Sequence, residues 1–191
     1  MTVSARDVAA ALRERLPGLP TKKLHKLLYY CQGHHAATFG TPLFAETISA
    51  WDMGPVVGQL WREEKDGTPA GDPSGLNEAH LNTVGYVVSR YGTLSGTDLE
   101  HLTHAETPWQ YANAVRRPGE SARIELAWIR EYFATDGAAD GDEDEPLAYS
   151  AEIRAILKDA DGRRSSDPAT DDLDEMYARL LAMREELKRS A

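Results

Sequence analysis

Six histidines, a single cysteine and several neighbouring acids are the residues of this chain whose types lend themselves to chemistry. His101 and His104 stand three apart with Glu100 and Glu106 alongside, which puts two imidazoles on one helix face in the manner of a metal-ligand pair. His34 and His35 are adjacent and point in different directions on a helix, and His25 lies nine residues before His34. The sequence contains no His-Glu-x-x-His pattern and no cysteine cluster, so these histidines read as ordinary core or surface residues. Cys31 falls on an apolar helical stripe and reads as a small buried hydrophobe. No Gly-x-Ser-x-Gly elbow and no phosphate-cradling glycine loop occurs, and Glu63-Glu64 fall on a solvated helix face. The expectation is a binding protein that is not an enzyme, with no catalytic residue, cofactor or metal.

The residues left over for binding are Lys23, Lys26, Tyr30, Gln32 and His34. They combine charge with large amphipathic side chains, the types that anchor interfaces. The plainer reading is a solvated helix face. Trp51, Trp109 and Trp128 read as core.

These side chains need elements to position them, and the order of elements is written mainly in helix caps. Ser4 with Asp7 opens a first helix to Leu16, and Pro17-Gly18 ends it. Thr21 caps a longer helix to Phe39, closed by Gly40. Leu24, Leu27, Leu28, Cys31 and His35 form its stripe, and Lys22, Lys23 and Lys26 mark its solvated side. Leu43-Phe44 and Thr47 to Trp51 are short extended pieces of a small hairpin. Pro55 begins a helix through Leu60 and Trp61, followed by a Gly/Pro-rich loop to Gly75. Asn77, Ser95 and Thr107-Pro108 start three further helices, and the last body helix runs from Arg123 to Phe133. The fold expected is mainly α: one compact multi-helix domain over 1–135 with an extended element near 43–51.

Charge divides the chain unequally. Residues 1–135 carry 13 Lys/Arg against 15 Asp/Glu, whereas residues 136–191 carry 8 against 16, so most of the net −10 belongs to the tail. A near-neutral body lacks the basic patch that duplex DNA requires, and no direct nucleic-acid contact is expected. No apolar run approaches the roughly 20 residues of a membrane span, and the N-terminal stretch is charged throughout, so a cytoplasmic protein without a membrane partner is expected. Residues 136–146 read as an acidic linker and 147–191 as a C-terminal helical extension. In that extension, Leu173, Met176, Tyr177, Leu180, Met183 and Leu187 advance by threes and fours. Such a seam suits packing on the domain, a grip on a partner, or a homo-oligomer.

The block Lys26-Leu27-Leu28-Tyr29-Tyr30, Gln32-Gly33 and His35, continued by Gly40, Pro42-Leu43-Phe44, Ala50-Trp51 and Gly54-Pro55-Val56, resembles the phage-associated Panacea or SocA-like antitoxin family. Glu106-Thr107-Pro108-Trp109 and Ile129 to Phe133 extend the likeness to about residues 6 to 134. The sequence departs from the family pattern at His34, Ala36 and Asp52-Met53. The resemblance implies a helical antitoxin domain that neutralises a cognate toxin by binding it. In one branch of the family the domain is an adaptor that delivers a client to a protease. Beside these readings stand a metal-dependent hydrolase built on His101 and His104 and a DNA-binding regulator, which charge disfavours.

Overall fold

The computed structural model describes residues 3–135, apart from Pro118, together with Arg189. The acidic linker at 136–146 and the helices expected at 148–161 and 171–190 lie outside the described residues, save for Arg189.

Local capping chemistry sets most of the helix starts where the sequence places them. Ser4 Oγ accepts from the Asp7 N–H at 3.1 Å while the Asp7 carboxylate accepts from the Ser4 N–H at 3.4 Å, which opens α1 (Ala5–Arg15). The long helix α2 (Thr21–Phe39) begins without a side-chain cap, because Thr21 is already helical and Pro20 precedes it. Gly40 ends it in the left-handed conformation, at φ 72°. The same reciprocal cap recurs at Asn77 with His80 and at Ser95 with Asp98, further along the chain.

Residues 43–57 differ from expectation in one respect. The extended segment is present as β1 (Ile48–Trp51), but its hairpin partner is β2 (Gly54–Val57), the stretch expected to begin a helix. The strands are antiparallel, with Ile48 opposite Val57 and Trp51 opposite Gly54, and helix α3 (Gly58–Lys65) follows at once. Pro55 suits either role, since an edge strand tolerates a residue with no N–H to donate. Leu43 and Phe44 lie outside the hairpin, and Phe44 makes an isolated bridge with Val3.

A short 3-10 turn (Pro73–Gly75) leads to α4 (Glu78–Tyr91), then α5 (Gly96–Ala105) and α6 (Thr107–Val115). The Val-rich run in α4 stays helical because burying Val84 and Val87 outweighs their modest propensity cost. The strand β3 (Ala122–Arg123) then completes a sheet of order β2-β1-β3, and the Ile124 N–H donates to Ile48 O at 2.9 Å. That pairing delays the last body helix, α7 (Leu126–Thr135), to a start three residues beyond the Arg123 expected. The described residues thus form a mainly α domain of seven α-helices and one small antiparallel sheet.

Helix α2 sits in the middle, packed against α1, α4, α5, α7 and β2. Leu24, Leu27, Leu28, Tyr29 and Cys31 are all 0% exposed. With neighbours on every side, the helix has no solvated face along most of its length. This corrects the expectation for Lys22 and Lys26, which are 1% and 0% exposed. Trp51 and Trp109 are in the core as expected, and Trp128 is partly buried against it.

Candidate functional site

Because α2 is enclosed, its polar side chains find their partners inside the protein, spread over several neighbouring elements. Lys22 Nζ lies 2.7 Å from Glu100 of α5, and half-buried Lys23 donates to Gly92 O at 2.7 Å, just beyond the end of α4. Lys26 Nζ donates to Pro55 O of β2 at 3.3 Å. Gln32 fastens the 43–44 segment from both ends of its amide: Nε2 donates to Phe44 O at 3.0 Å, and Oε1 accepts from Leu43 N–H at 2.9 Å and Phe44 N–H at 3.2 Å. His34 Nε2 lies 2.8 Å from Tyr91 Oη, and His35 Nδ1 lies 3.1 Å from Thr83 Oγ1, both on α4. His25 Nδ1 accepts from the Val57 N–H at 3.3 Å.

The densest part of this network surrounds Glu106, at the junction of α5 and α6. Tyr29 Oη donates to Oε2 at 2.6 Å and Tyr30 Oη to Oε1 at 2.8 Å. Burial raises the Glu106 carboxyl to about 7, and the two phenols act in the opposite direction by hydrogen-bonding to it. The same burial pushes both tyrosines well above their ordinary range. Lys26 is lowered to about 7 by burial, with Glu100 opposing and Lys22 adding to the shift. Gly54 explains the tight approach of the hairpin to this lysine. Its φ is +97°, and a Cβ there would lie 2.7 Å from Lys26 Cε and 2.9 Å from Thr103 Oγ1.

An aromatic wall adjoins the network. Tyr30 stacks on Tyr91 at 3.9 Å between centroids, while the Phe133 ring meets Tyr29, Tyr30 and His34 edge-on at 5.6, 5.9 and 4.7 Å. Gly33 admits that ring, since a Cβ on Gly33 would lie 2.3 Å from Phe133 Cδ2.

Of the five residues expected to form a partner-binding surface, Lys26, Tyr30 and Gln32 are buried, at 0%, 1% and 5% exposed. Lys23 and His34 keep partial exposure. The structure does bring the five together along one helix, but it uses them to hold α4, β2, the α5–α6 junction and the 43–44 segment in place. A reacting group could not reach the phenols of Tyr29 and Tyr30, which are 0% and 1% exposed. His104 stacks on Trp109 at 3.9 Å, and burial lowers it to about 4. Among the described residues, no group of three or more His, Cys, Asp or Glu is placed to hold a metal ion.

The surface itself carries a feature that no sequence motif announces. Tyr111 and Val115 are 55% and 75% exposed on α6, and the Trp128 ring of α7 meets Tyr111 edge-on at 5.7 Å. A helical projection finds them: once Trp109 and Ala112 face inward, Tyr111 and Val115 must face out. Beside them, Arg116 pairs with Asp52 in the turn between β1 and β2.

Comparison with known proteins agrees with the motif reading over the centre of the chain. No curated protein and no solved structure matches the chain. Residues 24–110 match the family model described as antitoxin SocA-like, Panacea domain. The match covers α2 from Leu24 onward, the β1–β2 hairpin and the Glu106 network, and leaves Lys23 of α2 and Ile129 to Phe133 of α7 outside it. Over residues 24–110 the chain is therefore similar to the SocA-like antitoxin Panacea domain.

Proposed function

We propose that this chain is the antitoxin of a toxin–antitoxin pair and neutralises a cognate toxin by binding it directly as a protein. The observation that carries the reading is the match of residues 24–110 to the SocA-like antitoxin domain. The chemistry of the interior agrees with it, because the acid, phenol and ammonium groups of the network are spent on one another and on backbone carbonyls. On this reading the protein works in the cytoplasm. Among the described residues, no helix is long and apolar enough to cross a membrane.

Partner contact falls to the exposed groups, and the buried ones shape the surface that presents them. Of the five α2 residues, Lys23 and His34 are the ones open to a partner, while Lys26, Tyr30 and Gln32 act as positioning residues behind them. Co-expression with the product of the adjacent gene tests the reading. Growth should be rescued from that product's toxicity, and the two proteins should co-purify. Absence of both rescue and complex would overturn the reading.

A further inference from the structure

Among the described residues, the large apolar side chains left exposed are Phe39, Tyr111 and Val115. Phe39 ends α2, with its ring 4.6 Å from His35. Tyr111 and Val115 stand one turn apart on α6, and with Trp128 they make an apolar strip along the seam between α6 and α7. Tyrosine and tryptophan on an exposed seam are the residue types that anchor interfaces. Charge does not choose an occupant for the strip, because the four arginines and three glutamates between residues 116 and 131 nearly cancel. Apolar matching and tethering are the remaining criteria.

The chain itself supplies a segment that meets both. Residues 171–190 carry Leu173, Met176, Tyr177, Leu180, Met183 and Leu187 at intervals of three and four, an apolar face of the width that one helix seam accepts. That segment is tethered to Thr135, the last residue of α7, whose N-terminal turn contributes Trp128 to the strip. Thirty-five residues, 136 to 170, lie between them. Even at the helical rise of 1.5 Å per residue, a connection of that length spans about 50 Å, more than the diameter of a domain of this size. Tethering at that range gives an effective concentration on the order of a millimolar, far above what a second copy supplies at micromolar concentration.

We propose that residues 171–190 cover the Tyr111, Val115 and Trp128 strip of their own chain. This inference does not depend on the antitoxin reading, and its test uses the chain alone. In the full-length protein, Val115→Cys is paired with Met183→Cys, and in a control with Ala178→Cys, which falls outside the apolar rhythm. Cys31 is 0% exposed and stays out of the reaction. Val115 is 75% exposed, so its replacement leaves the core intact, and unchanged melting temperatures would verify this. Under mild oxidation, the Met183 pair should form a disulfide within one chain about tenfold faster than the Ala178 pair, at a rate independent of dilution. Adding Leu180→Asp should remove the difference. Equal rates for the two pairs would overturn the proposal, because they describe a tether that samples the surface without preference. Disulfides that form between chains and slow with dilution would overturn it in favour of a second copy on the strip.

Discussion

Lys23 and Lys26 lie nearly one turn apart on α2, yet charge reversal at each tests a different thing. Lys26 is buried against Pro55 O, so Lys26→Glu sets a carboxylate against a carbonyl with no water to separate them. Burying an uncompensated charge of this kind costs about 3–5 kcal/mol, so the variant should melt far below the parent or fail to fold. Lys23→Glu loses a hydrogen bond to Gly92 O at a half-exposed site, a cost of about 1 kcal/mol. Thermal melts of the two variants check the contrast, and a Lys26→Glu protein with parental stability would contradict the buried network. Lys26 also shows why the sequence misleads at this scale. A lysine among leucines is written the same way whether its ammonium meets water or a buried carbonyl, and only the enclosure of α2 distinguishes the two.

Glu106 gives the network a pH signature. Its folded value of about 7 lies above the ordinary 4.5, so between these values the folded protein holds the proton more tightly than the unfolded chain does. The stability it contributes is complete below about 4.5 and is lost as pH rises through 7. Glu106→Gln removes this contribution, so the change of stability with pH should become more positive by up to about 1.4 kcal/mol per pH unit, measured by denaturant unfolding between pH 5 and 7. An unchanged profile would show that the carboxyl does not titrate in this window. Lys26 has the opposite sign, since its folded value of about 7 lies below 10.5, and its burial cost is relieved as pH rises between the two.

At the scale of elements, the docking of α7 depends on an absence of side chain. The Phe133 ring occupies the space where Gly33 would carry a Cβ, 2.3 Å away. Gly33→Ala must therefore displace the ring and with it α7, an overpacking cost of about 1–3 kcal/mol. In a double-mutant cycle with Phe133→Leu the two costs should not add, because the smaller side chain relieves the clash. Strict additivity would contradict the packing. The elements themselves are largely legible in the sequence, because their starts are local: Ser4 with Asp7, Ser95 with Asp98, and Gly40 as a stop each need only a few residues. Gly54 to Val57 is not, because a Gly-Pro step suits a helix start and an edge strand alike, and the choice is made by pairing with β1. The delayed start of α7 has the same cause, a strand pairing at Ala122–Arg123 that no local signal announces.

For the molecule as a whole, the interior favours neutral imidazoles. Burial lowers His25 and His34 to about 3 and His35 and His104 to about 4, so the unfolded chain binds more protons below pH 6.5 than the folded one. The stability they contribute is present above 6.5 and is lost as pH falls toward 3 to 4. Glu106 opposes these four histidines in the shared window and is outnumbered, so the denaturation midpoint should fall as pH drops from 6.5 to 4.5. A flat midpoint would contradict the burial of these rings. The same interior accounts for the role of the candidate site. The motif residues of α2 are buried, and in the fold they set the shape of the domain from within.

If the partner is a toxin protein bound directly, a titration of one purified protein into the other tests it most plainly. The chain, titrated into the purified product of the adjacent gene and followed by calorimetry, should give a saturable complex of fixed stoichiometry that survives size-exclusion chromatography. The Lys23→Glu variant, folded and stable, should bind more weakly. No heat and no co-elution, with both proteins shown to be folded, would contradict neutralisation by direct binding.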